Sequence, residues 1–300
     1  MDVSIIIVNY NTKELTLQCL KSVFDQTKII SFEVILIDNA STDGSIAAIR
    51  EHYPQVNIID SVENVGFGRA NNLGVKHALG KYLFFLNSDT ILLNNAILFF
   101  VNFFKENQNL TIGALGSILL NIKLSPIHSG SNFPQKKAAL KFIFLHYFNK
   151  NQLKKSERNE RLNFGSDTYF AIDYITGADL FIPKEVFNSL YGFDPIYFMY
   201  YEEVDLQKRM QKNNLSCFII KGPKIIHLVG ASGKSEIFSA FKRILVERSM
   251  FLYFKNHSSP KDYICFRIFY GFLRFPILVD HRISIRERLA YIKALWTFKL

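Results

Sequence analysis

Tyr82-Leu83-Phe84-Phe85-Leu86-Asn87-Ser88-Asp89-Thr90 sets five apolar residues directly against four small polar ones. An uninterrupted apolar run of this length, bounded by turn residues, predicts a strand buried on both faces. In an open α/β sheet, ligands bind outside the carboxyl ends of the strands. Asp89 therefore stands where a carboxylate can hold a hard divalent cation through its oxygens. Four small polar residues after a strand also make an ordinary turn.

Outward from this stretch the same alternation recurs. Strands are predicted at 3–8, 32–37, 56–59 and 112–119, with helices between them starting near Lys13, after Ser45, within 63–72 and at Asn95. Such alternation predicts an α/β fold with a doubly wound, mostly parallel sheet. Turns rich in Asn, Asp, Ser and Thr follow Val8, Ile37 and Leu86, and the turn 9–12 can cap the helix after it. They would align Tyr10, Asp38 and Asp89 along one crevice. A nucleotide fits such a surface: a ring packs on the base, a carboxylate bonds its edge or the ribose, and a cation sits on the diphosphate.

Between 121 and 168 the pattern degrades into a basic excursion, and order returns at Tyr174 with a strand feeding a helix that has Pro183 in its first turn. Glu202, Glu203 and Asp205 follow the aromatic run 197–201. Three carboxylates this close are costly to bring together in a half-buried place, which suits a tuned base, though acids also favour a helix N-terminus. Glu202 and Asp205 share a helical face, and Glu203 points elsewhere. His227 ends a further short strand.

The 49% hydrophobic share suffices for a large core, and the net charge is +10. That charge is unevenly placed: 136–161 carries eight basic and two acidic residues, 241–300 carries twelve and four, and the remainder is net acidic. Aromatic and leucine residues interleave with those bases, as in segments that rest on anionic lipid; no nucleic-acid module is recognisable. The longest apolar candidate, 264–279, is interrupted by Arg267 and Arg274, which points to peripheral association rather than a span. Cys19, Cys217 and Cys265 lack metal or redox spacing and sit among apolar residues, so reduced, buried thiols and a cytoplasmic protein on the inner membrane face are expected. No basic n-region of a signal peptide opens the chain.

Taken in order, Val3–Asn11, Ile37–Ser45, Asn64–Gly74, Leu86–Thr90, Thr176–Ala178, Gly192–Asp194, Phe198–Leu206 and His227–Ser232 resemble the landmarks of the family 2 glycosyltransferases. These are inverting enzymes of the GT-A fold, and the resemblance is to the bacterial rhamnosyltransferase-like branch that builds surface polysaccharides. It runs from Val3 to about His257. It implies a single Rossmann-like sheet flanked by helices over 1–240, with a nucleotide-sugar half at about 1–120 and an acceptor half at about 170–235, and a basic amphipathic helical extension over 241–300. By the same resemblance, Tyr10, Asn11, Asp38, Asn39, Arg69, Asn72, Asn87 and Ser88 would line the donor nucleotide, and Asp89 and His227 would hold Mg2+ or Mn2+. Glu203 falls at the general-base position, with Glu202 and Asp205 as alternatives. Two departures stand out: Asn87 replaces the first acid of the metal motif, and Glu203 replaces an aspartate. The implied donor is a nucleotide-diphosphate sugar, dTDP-rhamnose first, and the implied acceptor a lipid-linked saccharide.

Other readings carry less. Gly230–Ser235 mimics the end of a phosphate loop, but Leu228 stands where that loop needs its first glycine. Gly66-x-Gly68 lacks the third glycine of a dinucleotide site. A non-catalytic glycan-binding or scaffold member of the fold draws its support from the two departures.

Overall fold

The structure is a computed structural model. It describes residues 1–148, 164–228, 240–279 and 284–297. The chain divides into two compact units: 1–132, 162–198 and 202–236 form the first, and 133–161, 199–201 and 237–300 the second.

The first unit is built on an eight-stranded sheet. Its strands in chain order are β1 (Val3–Asn9), β2 (Phe32–Asp38), β3 (Asn57–Asp60), β4 (Tyr82–Asn87), β6 (Ile112–Gly116), β8 (Tyr169–Ile172), β10 (Asp179–Pro183) and β11 (Ser216–Ile220), arranged β3-β2-β1-β4-β10-β6-β11-β8. Pairs from β3 to β4 and between β6 and β11 are parallel, whereas β10 runs antiparallel between β4 and β6 and β8 closes the edge antiparallel to β11. Helices α1 (Lys13–Gln26), α2 (Ser45–His52), α3 (Phe67–Val75), α4 (Ala96–Glu106), α6 (Lys184–Ser189) and α7 (Glu202–Lys212) accompany the sheet. The mostly parallel α/β architecture expected from the alternation is present.

β4 is buried along Tyr82–Leu86, because alternate residues face two separate cores. Phe84 and Leu86 join Ile5, Phe100 and Phe181 on one side, and Leu83 and Phe85 join Ile6, Phe187 and Phe193 on the other. That double burial fixes the strand's register, since a one-residue slip would exchange its faces. Register then aligns the site: Val8 lies opposite Asn87, Asn9 opposite Asp38, and Asp179 opposite Leu86.

Two short ribbons complete this unit. β5 (Thr90–Leu92) pairs antiparallel with β12 (Ile225–His227), and β7 (Gly130–Ser131) pairs with β9 (Tyr174–Ile175).

In the second unit, α5 (Lys136–Phe148) packs with α9 (Pro260–Arg274), and α8 (Ala240–Asn256) and α10 (Ile285–Thr297) complete the group. The described helix of the basic excursion and those of the C-terminal extension share this unit. Buried Glu247 is its polar centre: it pairs with Arg274 at 2.7 Å and accepts the Tyr291 hydroxyl at 2.6 Å. No described helix is long and apolar enough to cross a membrane.

Two local expectations need correction. Thr12 does not cap α1 through its side chain; its hydroxyl donates to Asn9 Oδ1 at 2.8 Å, and the Lys13 N–H instead donates to Asp43 Oδ2 at 2.9 Å. Cys265 is exposed, whereas Cys19 and Cys217 are buried and burial pushes both thiols up to about 12.

Candidate active site

The carboxyl ends of β1, β2 and β4 converge on a polar network. Asn9 donates to Asp38 Oδ1 at 2.6 Å and to Ser41 Oγ at 3.0 Å, and Asp38 Oδ2 accepts the Ser41 N–H at 2.8 Å. Asp38 is completely enclosed, so its carboxylate fixes the 38–41 turn rather than presenting itself at the crevice surface. Asn39 is buried too and ties Asn64 (2.8 Å) and the Val65 N–H (2.9 Å) to this turn. Ser88 faces Thr12 at 3.1 Å. Tyr10 and Asn11 stay exposed, with Asn11 Oδ1 accepting the Thr42 N–H at 2.8 Å. Tyr10 and Asn11 are thus the exposed residues of this strand end, beside the buried Asp38, Asn39 and Ser88.

Arg69 and Asn72 are used differently from the expectation. Asn72 makes a two-way amide pair with Phe193, donating at 2.7 Å and accepting at 3.0 Å, and Arg69 Nε donates to the Pro195 carbonyl at 2.6 Å. These α3 side chains hold the 193–195 segment.

Asp89 and His227 come together through the β5–β12 ribbon, in which His227 is paired with Thr90. His227 Nε2 lies 3.2 Å from Asp89 Oδ1 and 3.3 Å from Asn87 Nδ2. The Leu228 N–H donates to the Asp89 carbonyl at 2.9 Å, which locks the ribbon's end. A carboxylate oxygen and an imidazole nitrogen about 3 Å apart match two adjacent ligands of an octahedral ion with bonds near ~2.1 Å. The donor set therefore fits Mn2+ or Mg2+ with diphosphate oxygens and water filling the other positions. Among the described residues no cluster of three or more acidic, histidine or cysteine ligands occurs; Asp89 and His227 lie together, with Asn87 beside them.

The first turn of α7 carries the three acids. Asp205 is paired with Arg209 (2.8 Å), whose guanidinium also donates to the carbonyls of Leu190 and Gly192. Asp205 is thereby committed to a structural clamp on the 190–192 turn. Glu202 is buried, packs over Gly68, and has Oε2 without a protein partner among the described residues. Burial first, and then the charge of Glu203, hold its carboxyl well above the usual range, which favours its neutral form. Glu203 is half-buried. A Cβ added at Gly177 would lie 3.9 Å from Glu203 Cβ, and the next residue, Ala178, accepts the Asn87 N–H at 3.1 Å. The 177–178 segment is thus flanked by the acid pair on one side and the end of β4 on the other.

Sequence reasoning missed Asp179. It is fully buried beside the end of β4, accepts both the N–H (2.8 Å) and the hydroxyl (2.6 Å) of Ser117, and burial raises it to about 7. An aspartate inside an otherwise apolar strand was the available signal. The phosphate-loop mimic at 230–235 lies outside the described residues.

The family model described as glycosyl transferase family 2 matches residues 4–173. The chain belongs to that family. It is 36% identical over 124 residues to the poly(ribitol-phosphate) beta-glucosyltransferase of Bacillus spizizenii, a match covering 39% of this chain and 20% of that protein. It is 25% identical over 207 residues to the N-acetylglucosaminyl-diphospho-decaprenol L-rhamnosyltransferase of Mycobacterium tuberculosis, covering 65% and 66%. The match to the Bacillus protein thus spans about a fifth of that relative. Among solved structures, S. aureus TarS 1-349 in complex with UDP has a TM-score of 0.57 at 15% identity, over 98% of this family 2 chain and 79% of the other. The mannosyltransferase PcManGT of Pyrobaculum calidifontis, in complex with GDP-Man and Mn2+, has a TM-score of 0.54 at 16% identity, over 99% and 76%. At these identities the solved structures speak to the fold, which is that of GT-A glycosyltransferases.

Proposed function

We propose that this family 2 chain is an inverting glycosyltransferase that moves a sugar from a nucleotide-diphosphate sugar to a saccharide acceptor in bacterial surface polysaccharide synthesis. The observation that carries the reading is the Asp89–His227 pair at the end of β4, with Glu203 beside Gly177 and the neighbouring Ala178 bonded to Asn87. dTDP-rhamnose is the lead donor and a lipid-linked saccharide the lead acceptor. Their support is the rhamnosyltransferase relative, whose printed name includes a decaprenol diphosphate.

Each side chain has a task in this scheme. Tyr10 and Asn11 receive the base, on a turn held rigid by Asp38, Asn39 and Ser88. Asp89 and His227, with Asn87 beside them, hold the divalent ion. When bound, that ion neutralises charge developing on the diphosphate leaving group. Glu203 takes the proton of the acceptor hydroxyl as its oxygen attacks the anomeric carbon from the face opposite the diphosphate. A single displacement inverts the centre and needs no protein nucleophile. The basic second unit rests on an anionic membrane surface, at the inner face where a lipid-linked acceptor would be met.

The test is a screen of nucleotide sugars for a Mn2+-dependent melting shift, followed by transfer assays with the donors that bind. A transferase shows both a shift and turnover. A scaffold protein shows neither, and that result would overturn the proposal.

A further inference from the structure

The interruption of 264–279 by Arg267 and Arg274 is an interruption of the sequence but not of the surface. Arg274 turns inward, pairing with Glu247 and donating to the Tyr270 hydroxyl at 2.9 Å. Arg267 lies over the Phe251 ring at 5.8 Å and reaches the Trp296 carbonyl at 3.3 Å. Tyr263, Phe266 and Tyr270 fill the inner face of α9. The outer face is left to Ile264, Cys265, Ile268, Phe269 and Phe272, which recur three and four residues apart on one arc. The four large apolar side chains among them are each between 42% and 61% exposed. A water-facing arc of this kind is normally polar; a helix apolar on both faces has a second apolar neighbour.

The arc does not end with α9. Phe275 and Val279 of the 3-10 turn that follows are exposed, and so are Ile285, Leu289 and Trp296 of α10. Gly271 lets the two helices close: a Cβ there would lie 2.6 Å from Trp296 Cζ2. Lys261, Arg286 and Lys293 are exposed on the same helices, and Lys255 at the end of α8, against exposed acids Asp262 and Glu287. An apolar, aromatic-rich face bordered by excess positive charge complements an anionic lipid interface, where apolar side chains enter the acyl boundary and bases meet headgroups.

We infer that the α9–α10 face inserts into the interfacial layer of an anionic membrane, with Ile264, Ile268, Phe269 and Phe272 as the buried contacts. This deepens, and rests on, the membrane partnership proposed above, replacing loose electrostatic attraction with a defined insertion face. It also gives exposed Cys265 a use as a reporter, since the other two thiols are buried.

The test uses the full chain with an environment-sensitive fluorophore on Cys265 and vesicles of phosphatidylcholine with or without phosphatidylglycerol. The expected result is a blue shift and co-sedimentation with the phosphatidylglycerol vesicles. The double variant Ile264→Ser, Phe269→Ser should bind about 10–100-fold more weakly, with an unchanged melting temperature. Unimpaired binding of that variant overturns insertion. Equal binding to pure phosphatidylcholine overturns the anionic commitment. A blue shift that grows with protein concentration in the absence of vesicles identifies a second copy as the occupant and overturns the inference. Donor-induced melting shifts, measured in parallel, report on the transferase reading separately.

Discussion

His227 Nε2 stands 3.2 Å from Asp89 Oδ1, brought there by a ribbon of three residues on each strand. Asp89→Ala and His227→Ala should each weaken Mn2+ binding, read by calorimetry on the unloaded protein, by about tenfold or more. Both should reduce transfer while leaving the far-ultraviolet spectrum unchanged. Unaltered Mn2+ affinity in both variants would remove these residues from the ion site.

Glu203→Gln separates chemistry from binding. Removing a general base costs roughly 10²–10⁴-fold in kcat, and donor KM should stay within a few-fold. Glu202→Gln should be tolerated far better, because burial and the charge of Glu203 raise its carboxyl well above the usual range, toward the neutral form that glutamine mimics. If Glu202→Gln were the inactive variant and Glu203→Gln the active one, their roles would be exchanged.

Asp179 makes stability depend on pH in a defined direction. Burial raises it from 3.8 to about 7 in the folded chain. The group therefore favours the folded state fully below about pH 4, and that contribution is lost as the pH rises through 7. Asp179→Asn should flatten the decline between pH 5 and 8, seen as parallel denaturant midpoints where the parent's fall. A steeper decline in the variant would contradict the assignment.

Arg209→Ala would leave Asp205 buried without its partner and release the Leu190 and Gly192 carbonyls. Breaking a buried pair from one side costs about 3–5 kcal/mol. Arg209 is itself partly exposed, so a loss of about 2–3 kcal/mol in urea unfolding is expected. A change below about 0.5 kcal/mol would mean that the clamp is not structural.

Gly66 sits at φ +86°, and a Cβ there would lie 2.0 Å from the Phe198 carbonyl oxygen, which accepts the Phe67 N–H at 2.9 Å. Gly66→Ala must displace the chain leading into α7. Melting should fall by several degrees, and kcat should fall with it. Retention of both would show that the segment yields without cost.

Local signals made much of this protein legible. β4 announced itself because its apolar run faces two cores, and the alternation of strands and helices was enough for the class of sheet. The turns at 9–12 and 38–45 were recognisable by composition. Their bonding to one another was not, because Asn9 reaches Asp38 on the neighbouring strand and the Lys13 N–H reaches Asp43. The bonds of Arg69 and Asn72 to 193–195 were not legible either, because those partners are distant in sequence.

What the sequence settled by itself is the alternating architecture and the residue types at each strand end, since burial period and turn chemistry are local properties. Tertiary structure decided that Asp205 is clamped by Arg209, how His227 meets Asp89, and that Arg274 turns inward while Arg267 lies over Phe251, beside an apolar outer face. Most of those contacts join residues remote along the chain, and periodicity carries no record of them.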